Sequence, residues 1–460
     1  MQSLAGEDLA LPYLLDKKVC MFLHYFNNNN LNSTTHLAMI NFLKGHPTRA
    51  IVPVKEIANA YNRVLLDSDY LSYDTDPNNQ HPLAYGTDPG NLDVRTTVAN
   101  WLNNKYKIKS TTADLINLTA GASYGVANIL ASTTSPQLTK KAFVVTPTYF
   151  LINNVFVDAG LGDDLIAINE TSSGEYELDL EKLESELQTH GKTGVNNVLK
   201  DPRGERKIYQ FVMYLVPAFS NPGGVTYSLK TREKLLQLAR EYDMLLISDD
   251  VYEFLDYSST TLIPPPVLKI NHLDQKTVSN KYGNSISNAT FSKIIAPGLR
   301  VGWQESATPA LVQQLSITGA NKSGGTPSQL STFVVANLIE SGQLDTIILN
   351  FKSIYAERAE ILKQSIQKYL PSGTKVYGGD GGYFLWVELP KEINNRAVIQ
   401  HLAEKDVIIP SGEGFEVLGS ENRQGWGDHC VRLSISYLTS EEIEKGVKIW
   451  GETIAELSSK

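Results

Sequence analysis

Helical and extended patterns of apolar residues alternate through the middle of the chain. Between about residues 90 and 320, helix-like segments such as Val94–Tyr106 and Thr231–Tyr242 are separated by short apolar runs. The runs are Leu115–Leu118, Ala142–Val145, Phe211–Val216 and Met244–Ile247. Short β-rich runs between helices are typical of a mostly parallel sheet with helices on both faces. We therefore predict a three-layer α/β domain in this region.

The last third of the chain has a different pattern. A long helical stretch, Ser353–Leu370, precedes two alternating segments, Gly382–Leu389 and Cys430–Ser436, that are typical of strands. A final helix is expected after Thr439, because Glu442 completes a capping-box pattern there. This pattern predicts a smaller α+β domain.

The length of the chain sets its expected division. A chain of 460 residues exceeds one ordinary core, so two domains are the default. We predict that residues 76–325 form the large domain and residues 326–460 the small one. Residues 1–75 are expected to contribute to the small domain. The segment Ser258–Asn288 contains Pro264–Pro266, and we interpret it as mostly irregular, with little functional content.

Charge and cysteine content exclude some classes of partner. The formal net charge of −9 disfavours binding to nucleic acid or to an anionic membrane. Two cysteines, Cys20 and Cys430, fit a reducing compartment. No apolar run reaches the roughly 18 residues that a membrane-spanning helix needs. Because Glu7 and Asp8 lie near the N-terminus and Arg49 is the first arginine, we expect a cytoplasmic protein, with the nucleus as the alternative.

Candidate chemistry is most concentrated in Thr290–Trp303, TFSKIIAPGLRVGW. A lysine in an apolar stretch is by itself usually a surface residue. Here, however, Lys293 lies between hydroxyl residues Thr290 and Ser292 and the cation Arg300, and these three side chains are suited to binding a phosphate. Burial beside cations would lower the pKa of the lysine, as an amine nucleophile requires.

A second phosphate element is LTAGASYG, Leu118–Gly125, which follows a predicted strand and begins a helix. Gly121 would let the backbone approach an anion, and the main-chain amides of Ala122 and Ser123 would point at it from a helix N-terminus. An ordinary strand-to-helix turn is the alternative, and this motif alone is a weak signal.

Two further motifs follow predicted strands. ISDDVYEFL places Asp249 and Tyr252 at the carboxyl end of a strand, where ligands of open α/β sheets bind. Asp249 could pair with a pyridine nitrogen and Tyr252 could bind a phenolic oxygen, whereas Asp250 is more simply interpreted as a helix N-cap. In VPAFSNPGG, Asn221 either forms part of a turn or donates its amide to the same phenolic oxygen.

Together these motifs resemble fold-type I, class I/II aminotransferases, in the branch that acts on 2-aminoadipate, kynurenine and aromatic amino acids. The resemblance extends from about Ile40 to the last helix and rests on four parts that occur in the family's order: SNPGG, DDVY, the Lys293–Arg300 stretch and a C-terminal arginine. It implies a fold-type I transferase with pyridoxal 5'-phosphate (PLP), Lys293 as the catalytic Schiff-base lysine, and no metal. The implied cofactor-binding residues are Tyr85, Ala122, Ser123, Tyr149, Asn221, Asp249, Tyr252, Thr290, Ser292 and Arg300.

The resemblance also implies a substrate site and a partner. Arg432 matches the arginine that binds the substrate α-carboxylate, Asn221 lies beside it, and Gly45 matches a glycine of the substrate loop. Tyr85 resembles the tyrosine that reaches the phosphate of a neighbouring subunit, which implies a homodimer. A buried anchor is the alternative for Tyr85, simple core packing for Tyr149, and a surface ion pair for Arg432.

The implied reaction is transamination between an L-amino acid and a 2-oxo acid, with 2-oxoglutarate as the expected acceptor. The same groups could support other PLP chemistry, such as a C–S β-lyase or a decarboxylase. A non-catalytic PLP-binding sensor is the third alternative, although no basic helix-turn-helix pattern precedes Ile40. The sequence does not identify a second arginine for dicarboxylates. Arg49 is a candidate only because it is close to Gly45.

Overall fold

The structure is a computed structural model that describes residues 39–67, 75–171, 174–258 and 266–459. Its helices within these ranges are α1 (Val54–Leu66), α2 (Leu92–Tyr106), α3 (Ala122–Thr133), α4 (Ile152–Asp158), α5 (Leu180–His190), α6 (Leu229–Glu241), α7 (Ile270–Thr277), α8 (Pro309–Ser316), α9 (Gly319–Gly324), α10 (Gln329–Glu340), α11 (Gln343–Tyr369), α12 (Asn395–Glu404) and α13 (Ser440–Ser458). Much of the predicted N-terminal segment, residues 1–38 and 68–74, lies outside the described residues.

The strands of the same ranges form four sheets. They are β1 (Ile40–Asn41), β2 (Ile116–Thr119), β3 (Lys141–Thr146), β4 (Leu165–Asn169), β5 (Asn197–Asp201), β6 (Gly204–Ile208), β7 (Phe211–Leu215), β8 (Met244–Asp249), β9 (Ser285–Thr290), β10 (Gly302–Ser306), β11 (Lys375–Gly378), β12 (Phe384–Glu388), β13 (Val407–Ile408) and β14 (Cys430–Ser434).

The largest sheet has seven strands in the order β2-β10-β9-β8-β7-β3-β4. Strands β4, β3, β7, β8 and β9 pair in parallel, whereas β10 runs antiparallel to both of its neighbours. Every residue of β7, β8, β9 and β10 is buried, as expected for strands that are covered on both faces. The predicted three-layer α/β architecture is confirmed.

A second sheet lies in the C-terminal third, where β11, β12 and β14 pair antiparallel. Helix α13 follows it and begins with the predicted capping box. The Thr439 hydroxyl accepts from the Glu442 amide at 3.2 Å, and the Glu442 carboxylate accepts from the Thr439 amide at 2.8 Å. The α+β character of this region is confirmed, whereas the exact domain boundaries stay a prediction.

The N-terminal strand joins this C-terminal region. Strand β1 pairs in parallel with β13, and the amide of Ser434 donates to the carbonyl of Phe42 at 3.0 Å. The Ser436 hydroxyl lies within hydrogen-bond distance of the carbonyls of Lys44 and His46. The loop that contains Gly45 is therefore attached to the strand that carries Arg432.

The interpretation of Ser258–Asn288 as mostly irregular is wrong in its second half. Helix α7 and most of β9 lie there, and β9 pairs with β8 in the middle of the large sheet. The apolar signal of β9 is weak because polar residues such as Ser285, Ser287 and Asn288 occupy it, all completely buried. Each of these side chains makes hydrogen bonds to distant segments, so local hydrophobicity did not identify the strand.

In the described ranges, no helix combines the length and the apolar character that are needed to cross a membrane.

Candidate active site

Residues from the four motifs described above, together with Tyr149, meet at one edge of the large sheet. Strands β2, β3, β7, β8 and β9 run in the same direction, so their carboxyl ends lie together. The antiparallel strand β10 starts at this edge, just after Arg300. A cavity of about 160 Å³ lies there, and its lining includes Ala122, Ser123, Tyr149, Asn221, Asp249, Tyr252, Thr290, Ser292, Lys293 and Arg300.

One end of the cavity is suited to a phosphate. Helix α3 begins at Ala122 and no side chain caps its first turn, so its amide groups are available to an anion. Gly121 has a φ of 103°, and a Cβ there would lie 3.0 Å from Arg300 Nη2, so the position needs glycine. The Thr290 and Ser292 hydroxyls lie 2.9 Å apart, and Thr290 Oγ1 also lies 3.1 Å from the Val301 carbonyl, so two hydroxyl groups are held together at this end.

The opposite end contains a buried carboxylate. Asp249, the last residue of β8, is 7% exposed. Tyr214 donates its hydroxyl to Asp249 Oδ2 at 2.6 Å, and Asn288 donates its amide to Asp249 Oδ1 at 2.9 Å. Burial raises the pKa of Asp249 to about 6, and the two donors oppose this shift. The group is therefore mainly ionised at neutral pH and can pair with a cationic ring nitrogen.

Lys293 lines the same cavity and is partly buried. Its Nζ donates to the carbonyl of Gly45 at 3.4 Å, and the Tyr383 hydroxyl donates to the carbonyl of Lys293 at 2.7 Å. Removal from water lowers the pKa of Lys293 to about 8, Asp249 opposes the shift, and the two cations Arg432 and Arg300 add to it. A substantial fraction of the amine is therefore neutral and nucleophilic near physiological pH.

Arg432 extends from β14 toward the cavity and is 2% exposed. Its guanidinium carbon lies 4.0 Å from the ring centre of Phe384 and 4.6 Å from that of Phe415. Arg432 Nη1 donates to Asn221 Oδ1 at 3.1 Å, and Nη2 donates to the carbonyl of Leu43 at 2.7 Å. Its Nε is buried and has no hydrogen-bond partner in the part of the chain that the structure describes. Since no carboxylate pairs with this guanidinium among the described residues, the surface ion-pair alternative is wrong.

Asn221 contacts both Arg432 and Tyr252. It follows β7, is 6% exposed, and accepts from Arg432 while the Tyr252 hydroxyl also faces it. Burial raises the pKa of Tyr252 far above its usual value, so this hydroxyl stays protonated and can donate. The pair can thus bind a phenolic oxygen on one side and support the guanidinium on the other.

The remaining predicted residues lie at the margin. Tyr149 lines the cavity and is only partly buried, which disfavours simple core packing. Gly45 contacts the ring of Phe384 closely, since a Cβ there would lie 2.7 Å from Phe384 Cζ. Tyr85 is 84% exposed and does not line the cavity, so the buried-anchor alternative is wrong. Arg49 is exposed as well.

One minor interpretation fails and several contacts were missed. Asp250 does not cap a helix, because no helix begins directly after it; its Oδ1 accepts from the Ser248 hydroxyl at 2.7 Å.

The sequence patterns did not indicate the residues that support the site from distant segments. These residues are Tyr214, Asn288, Tyr383, Phe384 and Phe415. Local motifs do not reveal them, although the aromatic content of GGYFLW was a partial signal for two of them.

Known proteins match most of this chain. The family model for aminotransferase class I and II matches residues 50–449. An uncharacterized protein of Saccharomyces cerevisiae is 44% identical over 90% of this chain and 96% of its own. Aromatic-amino-acid aminotransferase 1 of Thermococcus litoralis is 28% identical over 82% of this chain and 81% of its own. The crystal structure of Pyrococcus horikoshii kynurenine aminotransferase, at 26% identity, superposes with a TM-score of 0.74 and covers 96% of this chain and 94% of its own.

Proposed function

Since this chain belongs to the aminotransferase class I and II family, we propose that it transfers the amino group of an L-amino acid of the 2-aminoadipate, kynurenine or aromatic type to a 2-oxo acid, with 2-oxoglutarate as the expected acceptor. It is a PLP-dependent aminotransferase of the fold-type I class. The observation that carries the choice of reaction is that Lys293 shares one cavity with Asp249 and Arg300, and that Asp249, Arg300 and Arg432 all act on its charge.

The residues of the cavity fit PLP by their chemistry. The uncapped N-terminus of α3, the Ser292 hydroxyl and Arg300 would hold the phosphate. Asp249 would hold the ring nitrogen, and Asn221 with Tyr252 would bind the phenolic oxygen. When bound, the cofactor supplies an aldehyde that carries the amino group and a ring that withdraws electrons from the α-carbon.

Arg432 would bind the α-carboxylate of the substrate. Its buried Nε lacks a partner, and a carboxylate can satisfy this donor together with a second guanidinium proton. The rings of Phe384 and Phe415 both pack against the guanidinium, and Asn221 accepts a hydrogen bond from one end of it. A substrate held by this guanidinium would have its α-carbon near Lys293.

Lys293 would move the proton at the substrate α-carbon. As a neutral amine of lowered pKa, it can accept this proton from the α-carbon and would then donate it to the cofactor C4' carbon. Its carbonyl is bound by Tyr383, which fixes the backbone from which the side chain extends. The ionised Asp249 stabilises positive charge on the ring nitrogen during this transfer.

A spectroscopic assay tests this function. PLP-loaded enzyme is mixed separately with L-kynurenine, L-phenylalanine, L-2-aminoadipate and L-glutamate, and the cofactor absorbance is followed before 2-oxoglutarate is added. Conversion to the pyridoxamine form and recovery with 2-oxoglutarate would support transamination, and the rates would rank the donors. Release of carbon dioxide from any of these amino acids would instead indicate a decarboxylase, and release of pyruvate with ammonia from an L-cysteine S-conjugate, tested in parallel, would indicate a C–S β-lyase. The homodimer with Tyr85 at a shared site is part of the same proposal.

A further inference from the structure

We propose that Asn288, together with Tyr214, is a positioning residue that keeps Asp249 ionised and aimed at the ring nitrogen of the cofactor. The inference rests on the proposed function, because it deepens the role of Asp249 in that site. Neither residue belongs to a sequence motif for this chemistry. Asn288 lies in the middle of the polar strand β9, and Tyr214 lies in β7.

Asn288 connects both ends of the cavity. Its side chain is completely buried, and Nδ2 donates to Asp249 Oδ1 at 2.9 Å and to the carbonyl of Ala122 at 3.0 Å. Both partners are acceptors, so the amide nitrogen must point toward them. One side chain thus joins the carboxylate to the first residue of the helix that faces the phosphate end.

The structure makes room for this amide at a cost to helix α3. Gly125 lies in the first part of α3, where alanine would favour the helix by about 1 kcal/mol. A Cβ at Gly125 would lie 1.9 Å from Asn288 Oδ1, so no larger residue fits. Asn288 Oδ1 is buried and has no hydrogen-bond partner among the described residues. The contribution of this side chain therefore comes from the two hydrogen bonds that Nδ2 donates.

Tyr214 completes the support of the carboxylate. It is 1% exposed, and its hydroxyl donates to the other oxygen, Asp249 Oδ2, at 2.6 Å. Burial favours the neutral acid, which could not stabilise a protonated ring nitrogen, whereas two hydrogen-bond donors favour the carboxylate. Both donors also prevent rotation of the carboxylate, so its direction is fixed before the cofactor binds.

The test compares two ligands, PLP and its analogue in which carbon replaces the ring nitrogen. Dissociation constants for both are measured by fluorescence titration of the apo forms of wild type, Asn288→Leu and Tyr214→Phe. Wild type should prefer PLP. Asn288→Leu should weaken PLP binding about tenfold while binding of the analogue is unchanged, because only PLP uses the carboxylate. Tyr214→Phe, which removes one hydroxyl and keeps the ring, should show the same selective loss.

A matched control separates this role from general stability. Asn284 precedes β9 and is 3% exposed. Its amide donates to the carbonyl of Ala239 in α6 and to that of Met244, at the end of β8 away from Asp249. Asn284→Leu should keep the full preference for PLP even if the protein melts earlier.

Equal weakening of both ligands in Asn288→Leu and Tyr214→Phe, or an unchanged preference in both, would overturn the inference. If Asn288→Leu does not fold, the result with Tyr214→Phe decides. Wild type that binds neither ligand would instead contradict the proposed function itself. Wild type that binds both ligands equally would leave that function intact and remove the role of Asp249, and with it this inference.

Discussion

Removal from water sets the charge of single residues in this pocket. Burial lowers the pKa of Lys293 to about 8 and that of Arg432 to about 10, and it raises the pKa of Asp249 to about 6. At neutral pH, Arg432 is therefore positive, Asp249 is mainly negative, and part of Lys293 is neutral. This distribution suits binding of a carboxylate and a ring cation around a nucleophilic amine.

The first prediction concerns the pH dependence of cofactor uptake. Only neutral Lys293 reacts with an aldehyde, so the rate of PLP incorporation into the apoenzyme should rise with pH, with a midpoint near 8. Arg432→Leu removes a nearby cation, which should raise the pKa of Lys293 and move the midpoint upward. The rates are followed by absorbance, with borohydride trapping and peptide mapping to locate the label. A label on a residue other than Lys293 would refute the assignment.

A second prediction concerns the guanidinium of Arg432. Arg432→Lys keeps the charge but loses the fork and its planar packing between Phe384 and Phe415, so KM for the amino acid should rise about 10- to 100-fold. Steady-state kinetics measure this change. The control is Arg396→Lys, because Arg396 lies in the same region but forms exposed ion pairs with Glu413 and Asp428. Comparable KM increases in both variants would contradict the role of Arg432.

At the scale of secondary-structure elements, sequence patterns predicted the strands and helix ends whose formation depends on neighbouring residues. Apolar runs gave the strands β3, β7 and β8, and a capping signal placed the start of α13. Strand β9 was not predicted because it is polar, and its side chains form hydrogen bonds with distant segments, as Asn288 does with Asp249 and Ala122. Motifs located the groups that would touch the cofactor, but not the supports Tyr214 and Phe415, since their contacts depend on tertiary packing.

The third prediction concerns the loop around Gly45. Gly45→Ala would place a methyl group against Phe384, at 2.7 Å from Cζ, and would displace this ring, which also packs against Arg432. The substitution should cost about 1–3 kcal/mol of stability, as overpacking usually does, and should raise KM for the amino acid more than it lowers kcat. Thermal melts and kinetics provide the measurement. Gly319→Ala, which meets open space, is the control and should neither lower the stability nor raise KM.

At the scale of the whole molecule, an exposed aromatic residue indicates where a second copy would bind. Tyr85 is 84% exposed and the neighbouring Leu83 is 59% exposed, which is unusual for large apolar side chains. The resemblance that assigns Tyr85 to a neighbouring phosphate would explain this exposure. Each active site of the proposed homodimer would then combine residues from two chains.

The fourth prediction tests such sharing by complementation. Lys293→Ala and Tyr85→Ala chains should each have little activity as homodimers. After mixing and refolding in equal amounts, half of the dimers contain one site with both native residues, so about one quarter of the wild-type activity should return. Activity is measured against the unmixed variants. Activity that stays at the mean of the two variants, despite confirmed exchange of subunits, would exclude a shared site.

The uncapped start of helix α3 has a consequence for the lifetime of the enzyme. Its amide groups obtain an anionic partner only when the cofactor phosphate binds, so PLP stabilises the folded state as well as serving the reaction. Inorganic phosphate alone should therefore raise the melting temperature of the apoprotein in a concentration-dependent manner. A cell that is short of vitamin B6 would then lose this enzyme by unfolding and proteolysis, so that nutrient supply would set its abundance as well as its activity.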